Sequence, residues 1–326
     1  MSHSSLNMFR ITLGFLLILL MVLSGNAVAV TERFSILDVA TDLESPYFFS
    51  TISSENLKRK TCLFGLSGQY AYRPFDMINR SGGFARSGVE HLAFSVLSLK
   101  YATTDHTVIG IKMPVVFYAN YTDPTAGRGA LTQGVTAPGD LQFSFKFSRG
   151  VGKSKKKEMT FFSFVTAPTG AAEKYFGDSH PVGGILFGGD YKIFRGVQIS
   201  ANLGLDFRER IILRNIDFSH RVLSNVGFLG SLGKGVFVVA EIKARTSLNG
   251  FFTDSSSTPV EAITGISIPI TRSRMRISVG AGTCVVCGVI GARTRGFINI
   301  TRNFSAKSLM FWRPEEILSS TENTED

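Results

Sequence analysis

Apolar and polar residues alternate with a period of two along most of the chain beyond residue 60. In Gly139–Ser148 the apolar positions Leu141, Phe143, Phe145 and Phe147 interleave with Gln142, Ser144, Lys146 and Ser148. Successive side chains of a strand point to opposite faces, so this spacing predicts a strand with one aromatic face and one polar face. The same phase recurs downstream. Val197, Ile199, Ala201, Leu203, Leu205 and Phe207 interleave with Gln198, Ser200, Asn202, Asp206 and Arg208. Val236, Val238, Ala240, Ile242 and Ala244 alternate with Glu241, Lys243 and Arg245, and Ile277, Val279 and Ala281 with Arg276 and Ser278. Strands are expected over 62–73, 89–101, 106–119, 139–149, 158–167, 182–192, 196–208, 218–232, 235–247, 259–269, 275–283 and 293–304, twelve in all.

The connections between these strands sort by length. Those at 74–88, 120–138, 168–181, 209–217, 248–258 and 284–292 are long. Those between are mostly tight, as at Lys234 between Gly233 and Gly235, or at Ile193-Phe194-Arg195. A basic turn over Gly150–Lys157 is the exception. An even strand count with long and short connections at opposite ends predicts an all-β, antiparallel, up-and-down transmembrane barrel, long loops outside and short turns in the periplasm. The N-terminus agrees with export: Arg10 precedes the apolar run Ile11–Leu23, and Ala27-Val28-Ala29 is a small-residue cleavage pattern that would leave Val30 first. No later stretch approaches the roughly 18 apolar residues of a membrane helix. A membrane life for the rest therefore requires a closed barrel, the other fold that satisfies every backbone group in lipid. The expected organisation is a signal peptide over 1–29, an acidic-then-basic periplasmic lead-in over 30–61 with Tyr47-Phe48-Phe49 as a docking candidate, the barrel over 62–304, and a periplasmic tail over 305–326. Both termini would then be periplasmic, in the outer membrane of a Gram-negative-type cell.

A charge on the lipid face costs about 2–4 kcal/mol at the midplane, so the polar face must point inward. Gln198, Asn202, Asp206, Arg208, Arg221, Glu241, Lys243, Arg245 and Arg276 are accordingly expected to line the lumen, with the arginine excess favouring anions. The formal net charge of +10 does not point to nucleic acid, because the basic residues are spread along an exported chain and form no single stripe. Three cysteines are too few for a disulfide framework. For Cys284 and Cys287 in the last long connection, a local disulfide ranks ahead of free thiols, and free thiols ahead of a metal, since no second pair or histidine cluster completes a zinc set. Gly150-Val151-Gly152-Lys153-Ser154 lacks the first glycine of a phosphate loop, where Phe147 stands, and three lysines follow it. None of His91, His106, His180 and His220 stands two residues before a serine, and there is no nucleophile elbow, so neither the lipase pair of a twelve-stranded phospholipase nor an esterase is indicated. No enzyme activity, cofactor or metal is expected.

The chain resembles the N-terminal barrel of a group of OmpA-like outer-membrane proteins. The matching pieces are Tyr70-Ala71-Tyr72-Arg73-Pro74, Ile111-Lys112-Met113-Pro114-Val115-Val116-Phe117-Tyr118, and Gly139-Asp140-Leu141 with Lys146. Further along come Pro168-Thr169-Gly170 with Phe176-Gly177-Asp178, Ala201-Asn202-Leu203-Gly204 with Phe207-Arg208, and Gly280-Ala281-Gly282. They occur in the group's order over about residues 45–304. The resemblance implies a barrel in outer-membrane lipid, inserted by the barrel machinery, for which Asn303-Phe304 is the matching terminal aromatic. It departs in the globular wall-binding domain that relatives often carry; Ser305–Asp326 is too short for one. Two functions are expected as alternatives: a porin-like channel for passive passage of small solutes, or a structural or surface-interaction barrel with a plugged lumen and partner-binding outer loops. The oligomeric state is left open.

Overall fold

The computed structural model describes residues 35–37, 47–78, 84–122, 131–152, 156–213, 216–248, 258–270 and 273–305. The signal peptide, the tail with Trp312, part of the lead-in and part of the basic turn lie outside them. Among the described residues, twelve long strands follow one another: β1 Thr61–Ile78, β2 Phe84–Ala102, β3 Thr107–Thr122, β4 Leu141–Gly150, β5 Lys157–Ala167, β6 Val182–Phe194, β7 Val197–Phe207, β8 Arg221–Gly233, β9 Val236–Ser247, β10 Val260–Ile270, β11 Met275–Val286 and β12 Thr294–Ser305. Each pairs antiparallel with its chain neighbour, and β1 pairs with both β2 and β12, from Thr61↔Ser305 to Tyr72↔Thr294. The sheet is therefore closed, which removes every free edge along the wall.

The alternation sets which side of the wall faces out. Along β7, Leu203 is 61% exposed while its neighbour Asn202 is 4%. Phe187, Ile242 and Val279 are likewise exposed, whereas Ser200, Glu241 and Ser267 are buried. In a barrel the buried side is the interior, so exposed apolar residues form the outer band. Not every inward residue is polar. Phe162, Leu186, Leu223 and Phe297 are also buried there.

The first three strands run past the expected wall. The expected 74–88 connection is mostly strand, with register shifts around Phe75 and with Arg73 at φ 48°. The expected 120–138 and 209–217 connections carry short strands of their own, Leu131–Gln133, Ala137–Pro138, Ile211–Leu213 and Ile216–Phe218. At the long-connection end an apolar cluster joins Ile36, Phe75, Tyr175, Phe176, Val289 and Ile290. At the other end the turn after β8 has Gly233, Lys234 and Gly235 all at positive φ (93°, 49° and 77°). That conformation suits glycine, which carries no Cβ to clash.

Candidate functional site

The interior is occupied by the chain's own residues 47–56. This stretch was expected as part of a lead-in outside the barrel; in the structure Phe48 to Ser54 are buried against the inner wall. The wall holds it through its main chain. The Glu241 carboxylate accepts from the backbone N–H groups of Phe49, Ser50 and Thr51, the latter two at 2.8 and 2.7 Å, and from the Ser50 and Thr51 hydroxyls at 2.6 and 2.8 Å. Asn202 accepts from Ile52 N–H at 2.7 Å and donates to Ile52 C=O at 2.9 Å. Asn225 donates to Ser50 C=O at 3.1 Å. Asp190 accepts from the Ser53 hydroxyl and Ser54 N–H, each at 2.8 Å. Lys146 donates to Glu55 C=O at 2.6 Å. Such bonds satisfy a segment with no regular partner strand, as a buried backbone requires.

Apolar contacts seat the same segment. Phe48 and Phe49 pack with Leu229, Val239, Ile263 and Phe297, the Phe49 and Phe297 ring centres 4.7 Å apart. Ile52 packs with Phe162, Leu186 and Leu223. Two inward glycines make the groove deep enough. A Cβ on Gly227 would lie 2.7 Å from the Phe48 ring and 2.9 Å from Thr51 Oγ1, and one on Gly265 would lie 2.8 Å from the Phe49 ring. The guanidinium of Arg276 stands 4.4 Å over the Tyr47 ring.

Described residues on either side of the segment reach opposite ends of the barrel. Ser35 and Ile36 donate to Asp178 and to Tyr175 C=O in the 168–181 connection. Asn56 and Lys60 bond to Asp105 and Ala102, at the opposite end. Towards the short turns it divides the interior into cavities of about 540 and 770 Å³, both bordered by Tyr47, Glu55 and Asn56. Towards the long connections it leaves a chamber of about 170 Å³.

The nine residues expected to line the lumen divide among three places. Asn202 and Glu241 hold the segment, and Gln198 braces Asp190 at 2.8 Å. Asp206, Arg208, Arg221, Lys243 and Arg245 border the outer chamber. Arg276 lies beside Tyr47 at the short-turn end. Arg208 and Arg221 both reach Asp206, at 3.0 and 2.5 Å, and Arg208 approaches Asp178 at 3.7 Å. Lys243 lies 3.5 Å from Glu261, whose other oxygen is 2.5 Å from Arg295. Asp190, Asn225, Lys146, Glu261 and Arg295 were not among the expected lumen residues. Asp190, Lys146 and Glu261 continue the inward phase of their strands, so extending the period-two count would have found them.

Just before β4, outside the spanning strands, buried Asp140 accepts from Gly170 N–H at 2.8 Å and Asp178 N–H at 2.6 Å. Burial pushes its pKa up to about 6 against the opposing pull of those hydrogen bonds. Cys284 and Cys287 have their sulfurs bonded, with Cα atoms 5.1 Å apart, and Cys62 is buried within β1 as an ordinary strand residue. No group of three or more potential metal ligands gathers among the described residues.

No protein-family model matches the chain, and no curated protein does. Solved structures do. The COG4313 outer membrane channel from Pseudomonas putida F1 superposes at a TM-score of 0.60 with 12% identity, over 77% of this chain and 98% of that one. The NanC porin superposes at 0.49 with 6% identity, over 73% and 97%. At such identities the likeness is one of fold: this chain is a closed, antiparallel, twelve-stranded β-barrel of the kind found in outer-membrane channels.

Proposed function

We propose that the chain is an outer-membrane channel for passive passage of small solutes, closed in this state by its own residues 47–56. The observation that carries the reading is the way the segment is held: by side chains of the inner wall acting on its main chain, Glu241 above all. A filling made only of wall side chains would be a permanent core. A tethered segment in a polar groove can leave as a unit, and the cavities on both sides of it supply the rest of a path. The reading includes no catalytic step. It takes the exposed apolar band as the lipid contact, the short turns and Ser305 as periplasmic, and the long connections as outside. Residues 35–37 meet the long connections. On this reading residues 35–37 lie at the outer end instead of in the periplasm. Kinship with the OmpA-like group rests on the ordered motifs alone.

The test is planar-bilayer conductance of the refolded full chain beside a variant with residues 47–56 replaced by glycine and serine. The variant is expected to give steady channels, and the native chain rare or small openings. A silent variant, shown to be folded and inserted, would turn the reading to a structural barrel.

A further inference from the structure

We propose that the outer face of β4–β7, at its short-turn end, is a binding site for an anionic phospholipid. The headgroup phosphate sits on Arg149 and Lys157, and an acyl chain lies in the hollow over Gly189 and Ala201. This rests on the membrane part of the reading above, the apolar band as lipid contact, and not on the lumen being a channel.

Antiparallel register stacks the outward side chains of these strands in rows. Phe161, Phe187 and Leu203 form one row, the two rings 5.3 Å apart. Arg149, Met159, Gly189 and Ala201 form the next row towards the short turns. Lys157, Tyr191 and Ile199 form the last, with the Lys157 ammonium 6.0 Å over the Tyr191 ring. Met159, Phe187 and Leu203 are 59%, 58% and 61% exposed, and Arg149 and Lys157 are exposed beside them. No position in the three rows is acidic. Glu158 belongs to the opposite phase of β5 and pairs there with Lys192 at 3.0 Å.

The order of the rows is the order of a lipid, chain first and head last. Aromatic and apolar side chains meet the hydrocarbon, and a tyrosine marks its boundary with water. Clustered lysines and arginines at that boundary attract anionic headgroups, and a guanidinium offers a phosphate paired donors. Gly189 supplies the seat for a chain. A Cβ there would meet only the Glu158 carbonyl, at 3.5 Å. The missing side chain therefore leaves a hollow open to the lipid between Met159, Phe187 and Tyr191, which methylene groups can fill. A zwitterionic lipid carries an ammonium beside its phosphate, and two cations repel it. The preference is therefore for a headgroup of net negative charge.

The experiment is native mass spectrometry of the refolded full chain, released from an uncharged detergent after titration with phosphatidylglycerol or with phosphatidylethanolamine of the same acyl chains. The native chain is expected to hold phosphatidylglycerol at least about tenfold more tightly, as two cations at an anionic headgroup imply. Arg149→Gln with Lys157→Gln should abolish that preference. Gly189→Leu fills the hollow, keeps both cations and should weaken both lipids about threefold or more. Lys58→Gln with Arg59→Gln removes the same charge from exposed positions ahead of β1, at the same end of the barrel, and should leave the preference intact. Folding of each variant is checked by heat-dependent gel mobility; should the Arg149 and Lys157 variant misfold, the native comparison and Gly189→Leu carry the test. Equal retention of the two lipids by the native chain overturns the proposal. So does a preference that survives in the folded Arg149 and Lys157 variant, a loss as great in the Lys58 and Arg59 variant, or indifference to Gly189→Leu. Conductance without a lipid preference sinks this inference alone, whereas the preference in a non-conducting barrel sinks the channel reading and leaves the site.

Discussion

At the scale of single residues, one carboxylate decides the state of the lumen. Glu241 is 3% exposed and takes five donors from Phe49, Ser50 and Thr51. A buried donor left without its acceptor costs about 1–3 kcal/mol. Truncation to alanine orphans several donors at once, so even after water refills part of the gap the segment should lose about 3 kcal/mol or more of its hold. Glu241→Ala is expected to raise hydrogen exchange at the amides of residues 49–51 by about a hundredfold or more, while strand amides of β9 stay protected. Unchanged protection at 49–51 would contradict the role given to Glu241. The residue itself was legible as an inward position from the alternation in Val236–Ala244. Its partners were not. They are backbone N–H groups, which every residue but proline offers, so no side-chain pattern announces them.

At the scale of elements, the twelve strands were legible because lipid forces their phase: a charge turned outward is costly, so the apolar–polar period of two persists along the wall. The expected spans differ from the observed ones mainly at the long-connection end, where β1 to β3 run on past the wall. Strand β5 shows where the pattern blurs. Phe161, Phe162, Phe164 and Val165 put apolar residues on both faces, because Phe162 serves the interior and packs on Ile52. The 168–181 connection is docked onto Asp140 through Gly170 and Asp178. Burial raises the Asp140 pKa from 3.8 to about 6. The folded state therefore prefers the protonated acid. Its contribution is fully present below the unfolded value and is lost as pH rises through about 6. Proteolysis within 168–181 by a protease of flat pH response should thus quicken between pH 4 and pH 6.5. Asp140→Asn, which cannot ionise, should flatten that rise. A rise that persists in Asp140→Asn would assign the dependence to another group.

At the scale of the whole molecule, the barrel and its occupant are separate problems for a sequence reader. The wall repeats one rule twelve times, and repetition makes it visible. The occupant is a single irregular stretch, Tyr47–Asn56, with no period of its own; its one hint was the aromatic run Tyr47-Phe48-Phe49. The clues to its seat lie in the wall, at Gly227 and Gly265, and a strand glycine has many uses besides making room. The central claim is that residues 47–56 close the lumen and that their release opens it. The direct measurement is single-channel conductance of a Thr51→Cys, Gly227→Cys variant under oxidising conditions and then with reductant. A Cβ at Gly227 lies within 2.9 Å of Thr51 Oγ1, close enough for a disulfide once the Phe48 ring shifts. The account predicts a silent, cross-linked barrel that begins to conduct when reductant is added. Conductance that is the same before and after reduction, with the cross-link verified by mass, would contradict it.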